Sequence, residues 1–207
     1  MKIKQFETFD NAESILLPPA PAMLRDALRL ATMDVHERLH HHSGFAAVQS
    51  GTIDRASYIT LLSRLYGFYR PFEAAAQLDL ARTRWLDSDL DALGVSRVVR
   101  ETLPRCPFAQ PFSPDHSLGA RYVIEGSALG GRGMARQLDG LLGPGEAAGR
   151  KFFSGHGAAT GAAWRDYLAL LSAVSSSALR LATIIDGAIA TFAMFEQWLS
   201  GWTKHHD

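Results

Sequence analysis

The chain has 207 residues, 47% hydrophobic and 20% charged, enough to bury one substantial core and to suggest a single domain. Lys plus Arg and Asp plus Glu balance at 21 each, so no basic field gathers nucleic acid and any ligand has to be recognised locally. A lone cysteine, Cys106, excludes a disulfide framework and a thiolate cluster, and fits a reducing, cytoplasmic location.

Residues 1–19 read as an irregular arm: Pro18 and Pro19, with Pro21 just beyond, break its apolar stretch, and no basic region precedes it as in a secretory leader. The domain proper is taken as 20–207. A first helix is expected over Met23–His42, closed by Ser43 and Gly44. A second fits Asp54–Ala81, with Leu61, Leu62, Leu65, Phe68, Tyr69 and Phe72 at helical spacing and a bend at Pro71. A shorter, charged helix follows over Asp87–Leu103. Four prolines between Pro104 and Pro114 then make a loop. Helical spacing resumes over Ser117–Leu142, small residues fill Gly143–Gly161, and two closing helices are expected at Ala162–Ser176 and Ala178–Gly201. The most apolar stretch, Leu179–Leu199, is interrupted by Arg180, Asp186 and Glu196 and reads as a core helix, not a membrane span. No strong run of alternating strand character occurs, so the fold class is all-α.

The first helix contains HERLH, His36 to His40, a formal match to the H-E-x-x-H pattern of zinc peptidases. Two histidines one turn apart and a glutamate base are present, but the extended form would need glycine at 43 and histidine at 46, where Ser43 and Ala46 stand. No substrate-binding strand is expected either. His40, His41 and His42 point roughly 100° apart and read as a solvated helix end near the negative dipole pole. His36 borders an apolar stripe of Leu28, Ala31, Thr32, Val35 and Leu39, with Arg25 and Arg29 eleven and seven residues earlier on nearly the same azimuth. It is either a simple core-edge histidine or a neutral imidazole beneath two guanidiniums, an arrangement that suits a flat anionic ligand.

The segment LGARYVIEGSALGGRGMARQL, Leu118–Leu138, bears on that choice. Gly119, Gly126, Gly130 and Gly133 fall within about 60° on a helical wheel, and Gly131 adds a second glycine to one turn. Each interior glycine costs roughly 0.5–1 kcal/mol relative to alanine. Close helix contact can justify one or two; a planar ligand lying on bare backbone justifies the stripe. The aromatics of the chain, Phe68, Tyr69, Phe152, Phe153, Phe192 and Phe195 among them, read mostly as core. Glu125 reads either as a functional polar group or as a surface or capping residue.

Several segments resemble the heme oxygenase family, in the family's order over about residues 22–200. LATMDVHERL resembles the proximal helix, LYGFYRPFE the second helix, and YVIEGSALGG the distal motif of the bacterial, phytochrome-associated branch; FAMFEQWL is similar to the last helix. The resemblance implies a single-domain all-α helical bundle that binds heme through His36 as proximal iron ligand and opens the porphyrin to biliverdin, CO and ferrous iron, using O2 and an external electron donor. It implies that Gly126, Gly130 and Gly131 face the heme, with Gly126, Ser127 and Gly130 at the catalytic side. Arg29 and Arg165 would meet the propionates. A ferredoxin- or flavoprotein-type reductant and a bilin-accepting phytochrome are the implied partners. The usual G-D-L-S-G-G motif is absent and its aspartate has no clear counterpart, so Ser127 or ordered water would replace it. A non-catalytic heme or bilin carrier of the same fold is the alternative, and a zinc hydrolase a more distant one.

Overall fold

The computed structural model describes residues 21–108, 111–145, 148–174 and 177–202; the arm expected over 1–19 lies outside them. Ten α-helices and one 3-10 turn, without strands, make up the described residues: α1 Pro21–His40, α2 Ser43–Gln49, α3 Arg55–Ala75, α4 Ala81–Ala92, α5 Arg97–Thr102, α6 Pro114–Gln137, α7 Asp139–Leu142, α8 Lys151–Ser154, the 3-10 turn Gly157–Ala159, α9 Thr160–Ser172 and α10 Ala178–Ser200. The expected all-α class is the observed one.

Local chemistry explains most boundaries. Asp54 caps α3 by accepting from Ser57 N at 2.8 Å, and Ser113 caps α6 ahead of Pro114, which needs no donor at that position. The single helix expected from 54 to 81 ends at Ala75 because the chain reverses through Gln77 at φ 55. Likewise, the helix expected over 87–103 is two, α4 and α5, with Gly94 between them at φ 85. Pro71 sits inside α3 without ending it. A residue with an N–H there would bond to the Gly67 carbonyl; instead that carbonyl accepts Cys106 N at 2.9 Å, and Phe112 N bonds to Ala75 O at 2.7 Å. The proline-rich loop is thereby strapped along α3, and Gly67 leaves room for it: a Cβ there would collide with the Pro104 carbonyl.

Helix α10 organises the bundle, since α6, α1 and α3 all pack on it. Its crossing with α6 is close enough to require glycine on both sides. A Cβ on Gly119 would strike the Ile184 carbonyl, and one on Gly187 would come within 2.5 Å of His116 O. By length and composition α10 could cross a membrane. Its inner face of Leu181, Ile184, Ala188, Phe192 and Leu199 is buried in the core.

Candidate heme-binding cleft

A cavity of about 300 Å³ opens between α1, α3, α6 and α10. From α1 it receives His36, Leu39 and His40, and from α6 the turn-and-a-half Gly126–Gly131 except Leu129. Phe68 and Tyr69 of α3, Phe152 and Phe153 of α8, and Phe192 and Phe195 of α10 supply the apolar surround, and among the described residues no carboxylate lines it. Large apolar walls with a few polar groups are what a small-molecule or cofactor site requires. These six aromatics are core or packed against it, as read from the sequence, and they also face the cavity, because the helices that carry them do not close over it.

His36 is exposed and lines the cleft, with the Phe192 ring edge-on at 6.2 Å. Its pKa lies below the ordinary histidine value, chiefly through partial burial and then through His40, with Glu37 acting in the opposite sense. That favours the neutral imidazole, the form able to ligate a metal. The His36 and His40 rings are 4.5 Å apart at a steep angle. The solvated helix end read from the sequence holds for His40 and His41, both exposed, while His42 is half-buried. His40 faces the cleft, His41 pairs with Glu37 at 3.3 Å in solvent, and His42 caps α2 through Gly44 N while contacting Leu199 O at 3.2 Å. Glu37, 70% exposed and turned to His41, is not placed as the base of a zinc peptidase, and no group of three potential metal ligands occurs among the described residues.

The glycine stripe divides in two. Gly119 packs against α10, and Gly131 against α8, where a Cβ would stand 2.8 Å from Phe153 O. Gly130 and Gly133 have nothing within 4 Å of a Cβ, and Gly126 only the Trp164 ring at 3.8 Å. Bare backbone thus faces the cavity at Gly126 and Gly130, while packing accounts for Gly119 and Gly131.

Arg29 and Arg165 do not line the cavity; both are exposed. Arg25 and Arg29 act electrostatically on the Tyr122 phenol, whose ring lies 5.8 Å from that of Trp164, the residue before Arg165 and the one that touches Gly126. What the sequence reading missed is a buried polar cluster. Arg82, 5% exposed, lines the cleft and stands 3.0 Å from Glu125, itself 6% exposed and also near Arg121 at 3.4 Å. Glu125 is thus neither a surface nor a capping residue. Glu73, fully buried, accepts from Arg82 N and Thr83 N at 2.9 Å and from the Thr83 hydroxyl at 2.6 Å, so it caps the start of α4. Burial pushes its carboxyl up, against the pull of these donors. No signal in the sequence singles out Arg82, one of several arginines in a charged stretch.

The architecture is shared with heme oxygenases of known structure. That from Leptospira interrogans matches with a TM-score of 0.65 at 16% identity, covering 86% of this chain and 98% of its own. Heme oxygenase-1 of the cyanobacterium Synechocystis, solved in complex with heme, matches with a TM-score of 0.65 at 18% identity, covering 86% of this chain and 90% of its own. No curated protein sequence matches the chain. The heme oxygenase family model matches residues 22–201, so the chain belongs to the heme oxygenase family.

Proposed function

We propose that the protein is a biliverdin-forming heme oxygenase in which His36 ligates the iron of the substrate heme. The single observation that carries this reading is the joint placement of a neutral-leaning histidine and the open backbone of Gly126 and Gly130 on one apolar cleft. The residues present fit the group. A porphyrin needs a flat apolar slot, one imidazole, and room close to backbone; the aromatic walls, His36 and the two glycines meet those needs.

Bound heme supplies the redox chemistry, taking electrons from an external ferredoxin- or flavoprotein-type donor and reacting with O2 at its own ring. The chain's part is to bind, orient and exclude. His36 would hold the iron. Gly126 and Gly130 would offer the bound group bare backbone, and Ser127 adds a hydroxyl to the same wall, donating to Ile124 O at 3.1 Å. Phe68, Phe192 and Phe195 keep bulk water away from the reacting edge. Arg29 and Arg165, both exposed and outside the cavity lining, would orient the propionates through charge-assisted hydrogen bonds. A phytochrome accepting the bilin product is a further proposed partner.

The test is a heme titration followed by reductant in air. Wild type should show a histidine–heme spectrum and convert it to that of biliverdin; His36→Ala should lose the spectrum, and Arg29→Ala and Arg165→Ala should each weaken heme binding by about 1–3 kcal/mol. A stable heme complex without ring opening would identify a carrier instead.

A further inference from the structure

We propose that His42 is a pH-sensitive clip on the wall of the cleft. The neutral ring fastens the start of α2, which carries Phe45 into the cavity lining, to the end of α10; protonation releases α2 and loosens that wall. The inference does not depend on what the cleft binds.

The two partners of the ring fix its protonation state. Gly44 N–H can only donate, so Nδ1 at 3.2 Å must accept; Leu199 O can only accept, so Nε2 at 3.2 Å must carry the proton. One neutral tautomer therefore caps α2 at its N-terminus and satisfies a carbonyl at the C-terminal end of α10, the same carbonyl that accepts Trp202 N at 2.8 Å. An imidazolium has no acceptor. It keeps the bond to α10 and loses the one to α2. Its charge acts in the same direction, being favoured at the C-terminal end of α10 and opposed at the N-terminal end of α2.

The surroundings fit the ring. Gly44 lets it fold back on its own helix, since a Cβ there would stand 3.2 Å from the ring and 3.1 Å from a Leu61 methyl. The rings of Phe45 and Trp202 flank it at 5.5 and 5.4 Å, and Phe45 in turn lies 6.3 Å from Phe195, which also lines the cavity. Charged groups on the elements around it are engaged elsewhere: Arg38 of α1 with Glu196 of α10, His41 with Glu37, and Arg64 of α3 with Trp198 O. Burial is the main influence on the His42 pKa and lowers it, with the Leu199 carbonyl acting in the opposite sense. A histidine with a lowered folded pKa adds stability that is complete above its unfolded value, about 6.5, and is lost as pH falls through the folded one. The clip is closed at neutrality and opens in acid.

Imidazole nitrogen NMR and amide hydrogen exchange on the full chain without ligand test this, with no need of turnover. Near neutral pH His42 should show a protonated Nε2 and a bare Nδ1. As His42 titrates, protection of the Gly44 amide, corrected for intrinsic exchange, should fall about fivefold, the scale of one lost N-cap, and the Phe45 ring signals should move with the same midpoint. His42→Asn offers a side-chain oxygen at every pH, so its Gly44 protection should change by less than about twofold over that range, whereas His42→Ala should be low throughout. His36 is intact in both variants, so its own titration cannot imitate the difference between them. The opposite tautomer, Gly44 protection or Phe45 signals unmoved while His42 gains its proton, wild-type protection in His42→Ala, or an equal acid loss in His42→Asn would each overturn the clip.

Discussion

At the scale of single residues, glycines that look alike along the chain have different work. Gly130 has open space where a Cβ would stand, so Gly130→Leu meets no protein atom at its first carbon and gains helix propensity. Its melting temperature should stay near that of wild type, while biliverdin formation per bound heme falls steeply, since displacement by an ångström is enough to spoil a reacting geometry. Gly119→Ala should behave in the opposite way. The new methyl would collide with the Ile184 carbonyl and the Ala188 amide, backbone groups that cannot rotate aside. Overpacking should cost about 1–3 kcal/mol or more, measured by urea unfolding, with turnover per folded molecule retained. Normal turnover in Gly130→Leu would show that this backbone is not close to the reaction.

At the scale of elements, short helices are held by carboxylates from distant segments. Asp89 of α4, 1% exposed, accepts from Lys151 N at 2.7 Å and Phe152 N at 2.8 Å, and so anchors α8, which brings Phe152 and Phe153 to the cleft. Burial raises its pKa above the ordinary aspartate value despite these N–H groups. For an acid whose folded pKa is raised, the associated stability is fully present below the unfolded value and is lost as pH climbs through the folded one. Relative to Asp89→Asn, wild type should therefore be at its best in acid and lose ground above about pH 3.8. Urea midpoints of both proteins across the acid range would reveal it; a wild-type advantage over Asp89→Asn that increases with pH would refute it. Arg150 is the cationic counterpart. It donates to Ala135 O at 2.8 Å, to Gly143 O and to Asp139, collecting carbonyls where α6 and α7 end.

For the whole molecule, the cleft is a gap left between helices that meet through α10 more than through one another. A ligand seated on α1, α3, α6 and α10 at once should tie them together. Heme at a hundred times its dissociation constant should add about 2.7 kcal/mol, or roughly 5–10 °C in melting temperature for a domain of this size. The shift should vanish in His36→Ala; an equal shift there would mean that the stabilising contact is made elsewhere.

Helical class was readable from the chain because it depends on local properties: apolar spacing near 3.6, proline and glycine as punctuation, and side-chain caps such as Asp54. The same spacing put His36 on a helix border and bared Gly126 and Gly130, and the cleft gathers all three. Helix ends at Gln77 and Gly94 were less legible, since periodicity continues smoothly through a residue whose backbone turns left-handed. Which glycine packs and which lies open, and which aromatic faces the cavity, depend on where α8, α9 and α10 come to rest against α6. Nor does local sequence distinguish Arg82 from a surface arginine: its burial is set by Glu125, which lies on another helix and meets it only when the bundle closes. Periodicity is a property of neighbours along the chain, whereas burial and charge pairing are properties of neighbours in space, and only the tertiary structure brings those together.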